Sequence, residues 1–212
     1  MMKIDSLSPA PDRAGKFRVE FSDGSVMRLY RQTVEDFGLY SGMELSEEAY
    51  RMLIDSAGKM SAKMRAVRIV SASGVSKNEL HHRLIQKGET PENAQFAVEW
   101  MSDLSLIDDA KTAQQIVERC IAKGYGISRA KQALYEKRIP KELWDEALEE
   151  YPDQEDKIIA FLQSKLDENA DAKAIRRVTD SLIRKGHSYG QIRKALQRCQ
   201  METDSISEDF YG

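Results

Sequence analysis

With 212 residues, 41% of them apolar and 32% charged, the chain can build two modest cores or one extended array, under the large charged surface that thin helical layers carry. Its apolar runs are short, and its start, MMKIDSLSPAPDRAG, is polar and broken by prolines; this predicts neither a membrane span nor a secretory leader, hence a cytoplasmic protein. The net charge of −3 is unevenly spread, with +3 on residues 153–200 and −4 on residues 201–212, so a basic segment precedes an acidic, disordered tail.

Residues 1–60 read as a small β-containing appendage. Phe17, Val19 and Phe21 alternate with Arg18 and Glu20, and Met27 and Leu29 flank Arg28; this is the period-two pattern of half-buried strands. A three-residue loop, Ser22-Asp23-Gly24, sets Val19 opposite Met27 and Phe17 opposite Leu29. A lone hairpin is marginal in water, so its apolar face needs cover. The predicted cover is a helix from Ser46 to about Ala57, with Ser46 as its cap and Ala49, Leu53, Ile54 and Ala57 at helical spacing. Gly38, Gly42 and Gly58 are read as punctuation between elements.

From residue 61 the pattern is helical throughout. Ser76 with Glu79, and Ser188 with Gln191, have capping-box spacing. Thr90-Pro91 places a cap before a proline at the first helical position, and Pro140 suggests the same use. Gly74, Gly88, Gly124 and Gly186 stand where helices should stop. Three three-helix units result: 61–104, with helices near 61–72, 76–87 and 91–104; 105–152, with helices near 109–123, 128–137 and 140–150; and 153–200, with helices near 153–167, 171–185 and 188–199.

These units repeat a pattern. Leu84, Leu134 and Leu182 are each followed three residues later by Lys87, Lys137 and Lys185, and further on by Ala97-Val98, Ala147-Leu148 and Ala195-Leu196. Val67 and Val117, Gly74 and Gly124, and Leu80, Ala130 and Val178 extend the match. Spacings of about 50 residues mark a tandem array in which each unit stacks on its neighbour. The predicted fold is therefore mainly α, an elongated curved rod of three repeats with a hairpin-containing amino-terminal appendage. Trp100 and Trp144 are expected to fill seams between units.

No catalytic pattern is present: no phosphate loop, no dinucleotide fingerprint, no HExxH and no nucleophile elbow. Cys120 and Cys199 lack metal-ligand spacing and read as small reduced packing residues. His81 and His82 are adjacent on a helix and diverge, which makes a poor chelate, and His187 stands apart. Asp108-Asp109 reads as a helix start, where negative charge meets the dipole. No enzyme activity, cofactor or metal is expected.

Leu106-Ile107-Asp108-Asp109, Arg119, Lys123-Gly124-Tyr125-Gly126, Arg129, Leu134, Lys137 and Ile139 resemble the central signature of the RecX family, regulators of the RecA recombinase. Leu80, Arg83, Leu84 and Lys87-Gly88 resemble its first repeat, and Leu182, Arg184-Lys185-Gly186 and Ile192 its third. The likeness covers residues 17–198. Three places depart from the usual pattern: Ala110-Lys111 where an aromatic is common, Arg138 where glycine usually precedes Ile139, and His187 where an aromatic often follows the turn. The resemblance implies a monomeric modulator in DNA repair, recombination and the SOS response. It would bind RecA on single-stranded DNA, lodge along the filament groove, and limit filament growth and ATP hydrolysis.

The candidate binding residues are basic groups of the second helices and their turns, with two from the last helix. They are Arg83 and Lys87; then Arg129, Lys131, Lys137 and Arg138; then Arg176, Arg177, Arg184 and Lys185, with Arg193 and Lys194. Such groups meet either phosphates or the acidic surfaces of a recombinase filament. Few aromatics interleave with them, which favours weak contact with single- or double-stranded DNA in support of a protein contact. Two alternatives remain open at this level: a helix-turn-helix-like DNA-binding regulator, and a helical-repeat interaction scaffold.

Overall fold

In the computed structural model the structure describes residues 1–10, 15–167 and 170–199. The acidic tail expected at 201–212 lies outside them. The chain divides into two compact units, Met1–Ile107 and Asp108–Gly212. It is mainly helical with a small antiparallel sheet at the amino terminus, as the sequence pattern predicts.

The first unit begins with β1 (Met2–Pro9), β2 (Lys16–Phe21) and β3 (Val26–Tyr30), then α1 (Arg31–Asp36) and β4 (Glu44–Leu45). The predicted hairpin forms in the predicted register, with Phe17 opposite Leu29 and Val19 opposite Met27, and Gly24 at φ +80° closes the loop. The sheet is wider than the hairpin, with order β3-β2-β1-β4. The register of β1 against β2 shifts between Ile4 and Ser6. That irregularity interrupts the alternation begun by Met2 and Ile4, which is why β1 lacks a sequence signature. Ile4, Val19, Phe21 and Leu29 pack together with Leu53 of the covering helix.

That covering helix, α2 (Glu47–Ala72), is one continuous rod. It was expected as two pieces meeting at Gly58, and this expectation is corrected. A Cβ at Gly58 would lie 2.4 Å from the Asn93 amide, so the glycine admits close approach of another helix rather than ending its own. The Glu47–Arg51 pair supports the helix before Gly58, and the Asp55–Lys59 pair spans it. The amino-terminal half of α2 roofs the sheet, while Ala62, Ala66 and Ile69 enter a second core with α3 (Lys77–Gln86) and α4 (Pro91–Asp103). The caps at Ser46, Ser76 and Thr90 accept from the backbone N–H groups of Ala49, Glu79 and Asn93.

In the second unit α5 (Asp109–Ala122), α6 (Ile127–Glu136) and α7 (Trp144–Leu148) surround one core, and α8 (Glu155–Lys165), α9 (Ala172–Arg184) and α10 (Tyr189–Arg198) another. Asp108 caps α5 as predicted, accepting from Lys111 N–H at 3.0 Å. Ser188 and Gln191 form the full capping box. Pro140 does not sit at a first α-helical position. It precedes a 3₁₀ turn, Lys141–Leu143, that leads into α7. Trp100 packs against the core of α2–α4. Trp144 packs against the core of α5–α7 and donates Nε1–H to the Ile139 carbonyl at 3.1 Å. Cys120 is buried and Cys199 half-buried, both as free thiols.

Candidate interaction surface

The repeated leucine and lysine mark a helix-ending device. Leu84, Leu134 and Leu182 are at most 1% exposed, and Lys87, Lys137 and Lys185 are the C-cap residues of α3, α6 and α9. The next residue turns left-handed each time: Gly88 at φ +88°, Arg138 at φ +53° and Gly186 at φ +88°. The chain then folds back, so that Glu89, Ile139 and His187 donate N–H to the carbonyls of Leu84, Leu134 and Leu182. This is the Schellman closure. The lysines therefore lie beside helix carboxyl ends, where the dipole favours positive charge.

One face of α2 and the end of α3 gather basic groups into a cleft of about 530 Å³ within the first unit. Arg65, Arg68, Ile69 and Ala72 line it at i, i+3, i+4 and i+7, one stripe of a helix. Arg83 and Lys87 enter from α3, one turn apart, and the cross-strand pair Lys16 and Tyr30 closes the far side. Arg83 is paired with Glu79, and Arg65 with Glu89 at 2.7 Å. Arg65 also donates to the Lys87 carbonyl. Arg68 is exposed. Sequence reading identified Arg83 and Lys87 here but not Lys16, Arg65 or Arg68. Arg65 and Arg68 carried a readable signal, the three-residue spacing on an amphipathic helix, whereas Lys16 reaches the cleft only through the sheet.

In the second unit the turns after α5 and α9 meet almost backbone to backbone. Gly126 N–H donates to the Lys185 carbonyl at 2.9 Å, and the His187 ring Nε2 lies 3.0 Å from the Gly124 carbonyl. That contact assigns the ring proton to Nε2, because a carbonyl can only accept. Burial pushes the His187 pKa below the usual histidine range, with the Lys185 charge acting in the same direction and the Gly124 carbonyl against both. A Cβ at Gly126 would stand 2.0 Å from the Gly186 oxygen, and one at Gly186 2.4 Å from the Arg129 nitrogen. Tyr151 donates its hydroxyl to the Tyr125 carbonyl at 2.7 Å, and burial raises its pKa to about 12. Lys157 donates to the Ile121 carbonyl, and Lys185 stacks 3.7 Å over Phe161.

This seam brings Arg129 beside the Lys185–Gly186 turn. Arg129 is half-buried and holds Glu136 at 3.1 Å. Lys131, Arg176, Arg177 and Arg184 are exposed on α6 and α9, with Arg177 and Arg184 seven residues apart on one face. Arg138 is exposed and Lys137 half-buried at the end of α6. Arg193 is exposed on α10. Lys194 binds Glu155 at 2.9 Å alongside Arg198, and that carboxylate is nearly buried; its first role is to tie α10 to α8.

Sequence reading also missed exposed apolar residues in each unit. Ile85 and Tyr135 follow the core leucines Leu84 and Leu134 and are 39% and 70% exposed. One helical step turns each about 100° from the core face, which periodicity alone could have indicated. Ile127, Lys131 and Tyr135 form an exposed stripe at four-residue spacing along α6. Among the described residues no group of three or more histidines, cysteines or carboxylates is arranged to hold a metal ion. Nor is any helix there long and apolar enough to cross a membrane.

Three-helix units whose turns carry exposed basic residues, with an exposed aromatic on one helix, define a mainly helical protein. Residues 108–148 match the family model described as RecX, second three-helix domain. The chain is 27% identical over 203 residues to the regulatory protein RecX of Clostridioides difficile, covering 92% of this chain and 93% of that relative. It is 27% identical to the regulatory protein RecX of Streptococcus sanguinis, over 91% of this chain and 76% of the relative. Among solved structures, a crystal structure of regulatory protein RecX matches with TM-score 0.63 at 18% identity, covering 92% of this chain and all of the other. RecX from Lactobacillus salivarius matches with TM-score 0.60 at 20% identity, covering 68% of this chain and 98% of the other. The two structures agree in fold. The matched domain and the relatives make the chain similar to the RecX regulatory proteins.

Proposed function

We propose that this chain binds the RecA recombinase on single-stranded DNA and restrains filament growth and ATP hydrolysis, acting as a monomer in the cytoplasm without catalysis of its own. The observation that supports this best is the surface of α6, where Tyr135 is 70% exposed beside Lys131 and the Arg138 turn. An exposed aromatic with basic residues near it along the helix has the composition of a protein-binding hot spot. Arg177 and Arg184 on α9 add a second basic face. A filament repeats its surface, so modest contacts from successive units add as avidity. Direct contact with DNA phosphates is the weaker part of the interaction, because few aromatic platforms accompany the cations.

The deciding experiment measures RecA ATP hydrolysis and filament length on single-stranded DNA with substoichiometric amounts of the chain. Both should fall. If neither changes, the proposal fails.

A further inference from the structure

The cleft of the first unit has a chemistry that fits one kind of occupant. Its floor is apolar, from Ile69 and Ala72, and its rim is basic. Five cations surround it, and two of them are already offset by Glu79 and Glu89. Beyond those two pairs, Arg68 and Lys87 lie exposed at the rim. The same guanidinium groups demonstrate what they accept, since Arg65 and Arg83 each hold a carboxylate here. A stacked nucleobase finds no platform: Tyr30 is the one aromatic residue among those lining the cleft, is 8% exposed, and has the Lys16 ammonium 4.6 Å over its ring. Single-strand binders rely on open aromatic faces. At about 530 Å³ the space accommodates an apolar side chain together with its neighbours along a strand of peptide.

We infer that this cleft docks an acidic peptide segment of a protein partner, with one apolar side chain on the Ile69 and Ala72 floor and the flanking carboxylates on Arg68 and Lys87. The inference rests on the functional reading above only in taking the partner to be a protein. It gives the amino-terminal sheet a task, because Lys16 and Tyr30 form one wall of the site.

The test uses the full chain without RecA, so that its result stands apart from the filament assay. A fluorescent peptide with a leucine between runs of aspartate and glutamate is titrated by anisotropy, alongside the same peptide with serine for leucine and an oligothymidylate of similar length. The leucine peptide should bind saturably and more tightly than the serine peptide. Arg68→Glu should weaken it about tenfold or more, since a like charge then faces each carboxylate, whereas Arg68→Lys should cost far less. Ala72→Phe, which fills the floor without changing charge, should weaken the leucine peptide and leave the serine peptide unaffected. Lys87→Glu, with its side chain exposed, serves if Arg68→Glu fails to fold. Absence of saturable binding, equal affinity for both peptides, or wild-type affinity in the variants would overturn the inference. So would displacement of the peptide by the oligothymidylate with the same sensitivity to Arg68→Glu, which would mark a nucleic-acid site.

Discussion

Gly126→Ala should break the seam between the two cores of the second unit. The new Cβ would lie 2.0 Å from the Gly186 oxygen, 2.2 Å from its carbon and 2.5 Å from the His187 nitrogen. All three are backbone or backbone-bound atoms, so no side chain can rotate away. Ordinary contact requires about 3.4 Å or more, and the two turns must therefore separate by more than about 1 Å in a densely packed interior. That displacement stretches the Gly126–Lys185 hydrogen bond from 2.9 Å and the His187–Gly124 contact from 3.0 Å beyond useful length. Overpacking costs about 1–3 kcal/mol, and each lost hydrogen bond about 1 kcal/mol. The expected destabilisation is about 3–5 kcal/mol, or a fall in melting temperature on the order of 10 °C. Urea and thermal unfolding of the full chain, followed by circular dichroism, measure it. Gly190→Ala is the control: it lies exposed in the first turn of α10 with nothing within 4 Å of its Cβ, and should be neutral or stabilising by up to about 1 kcal/mol. If Gly126→Ala unfolds with the wild type, the close backbone approach is not what holds the seam.

Arg138→Gly should stabilise the chain by about 1 kcal/mol, because it relieves a left-handed backbone at φ +53° that glycine adopts without cost; an unchanged or lowered urea midpoint would contradict this. His187 is buried neutral with its pKa depressed, so the unfolded state binds the proton more readily and stability rises with pH. Its contribution should be complete above about pH 6.5 and lost as pH falls toward the lower folded value. His187→Phe should remove that part of the pH dependence between parallel unfolding curves, and identical curves would refute the assignment. Tyr135→Ala should weaken inhibition of RecA by about tenfold or more while leaving the melting temperature nearly unchanged, as expected for an exposed hot-spot side chain. A loss of inhibition that tracked a loss of stability would instead make Tyr135 a packing residue.

Local rules account for most of the helical architecture. The caps at Ser46, Ser76, Thr90, Asp108 and Ser188 were legible because a side-chain acceptor two or three residues before free N–H groups is a short-range device. The β2–β3 register was legible because loop length and the two-residue period fix it together. β1 was not, since its irregular register hides the alternation. Gly58 misled because a glycine inside a helix reads as a stop until the neighbour that needs the space is known, here Asn93.

The candidate surface divides in the same way. Residue type and spacing identified the basic residues of α3, α6 and α9, and the repeat identified their equivalence. Their actual engagements, Arg83 with Glu79, Arg129 with Glu136 and Lys194 with Glu155, depend on rotamers and neighbours that spacing does not encode. The sequence alone therefore determined the repeated helical unit and its end signals, because these follow from periodicity and capping. Only the tertiary structure decided that Gly126 and Gly186 face each other across a seam and that Lys16 closes a cleft begun by Arg65 and Arg68. Each of these depends on residues distant in sequence being brought within a few ångströms, a matter of packing rather than of local pattern.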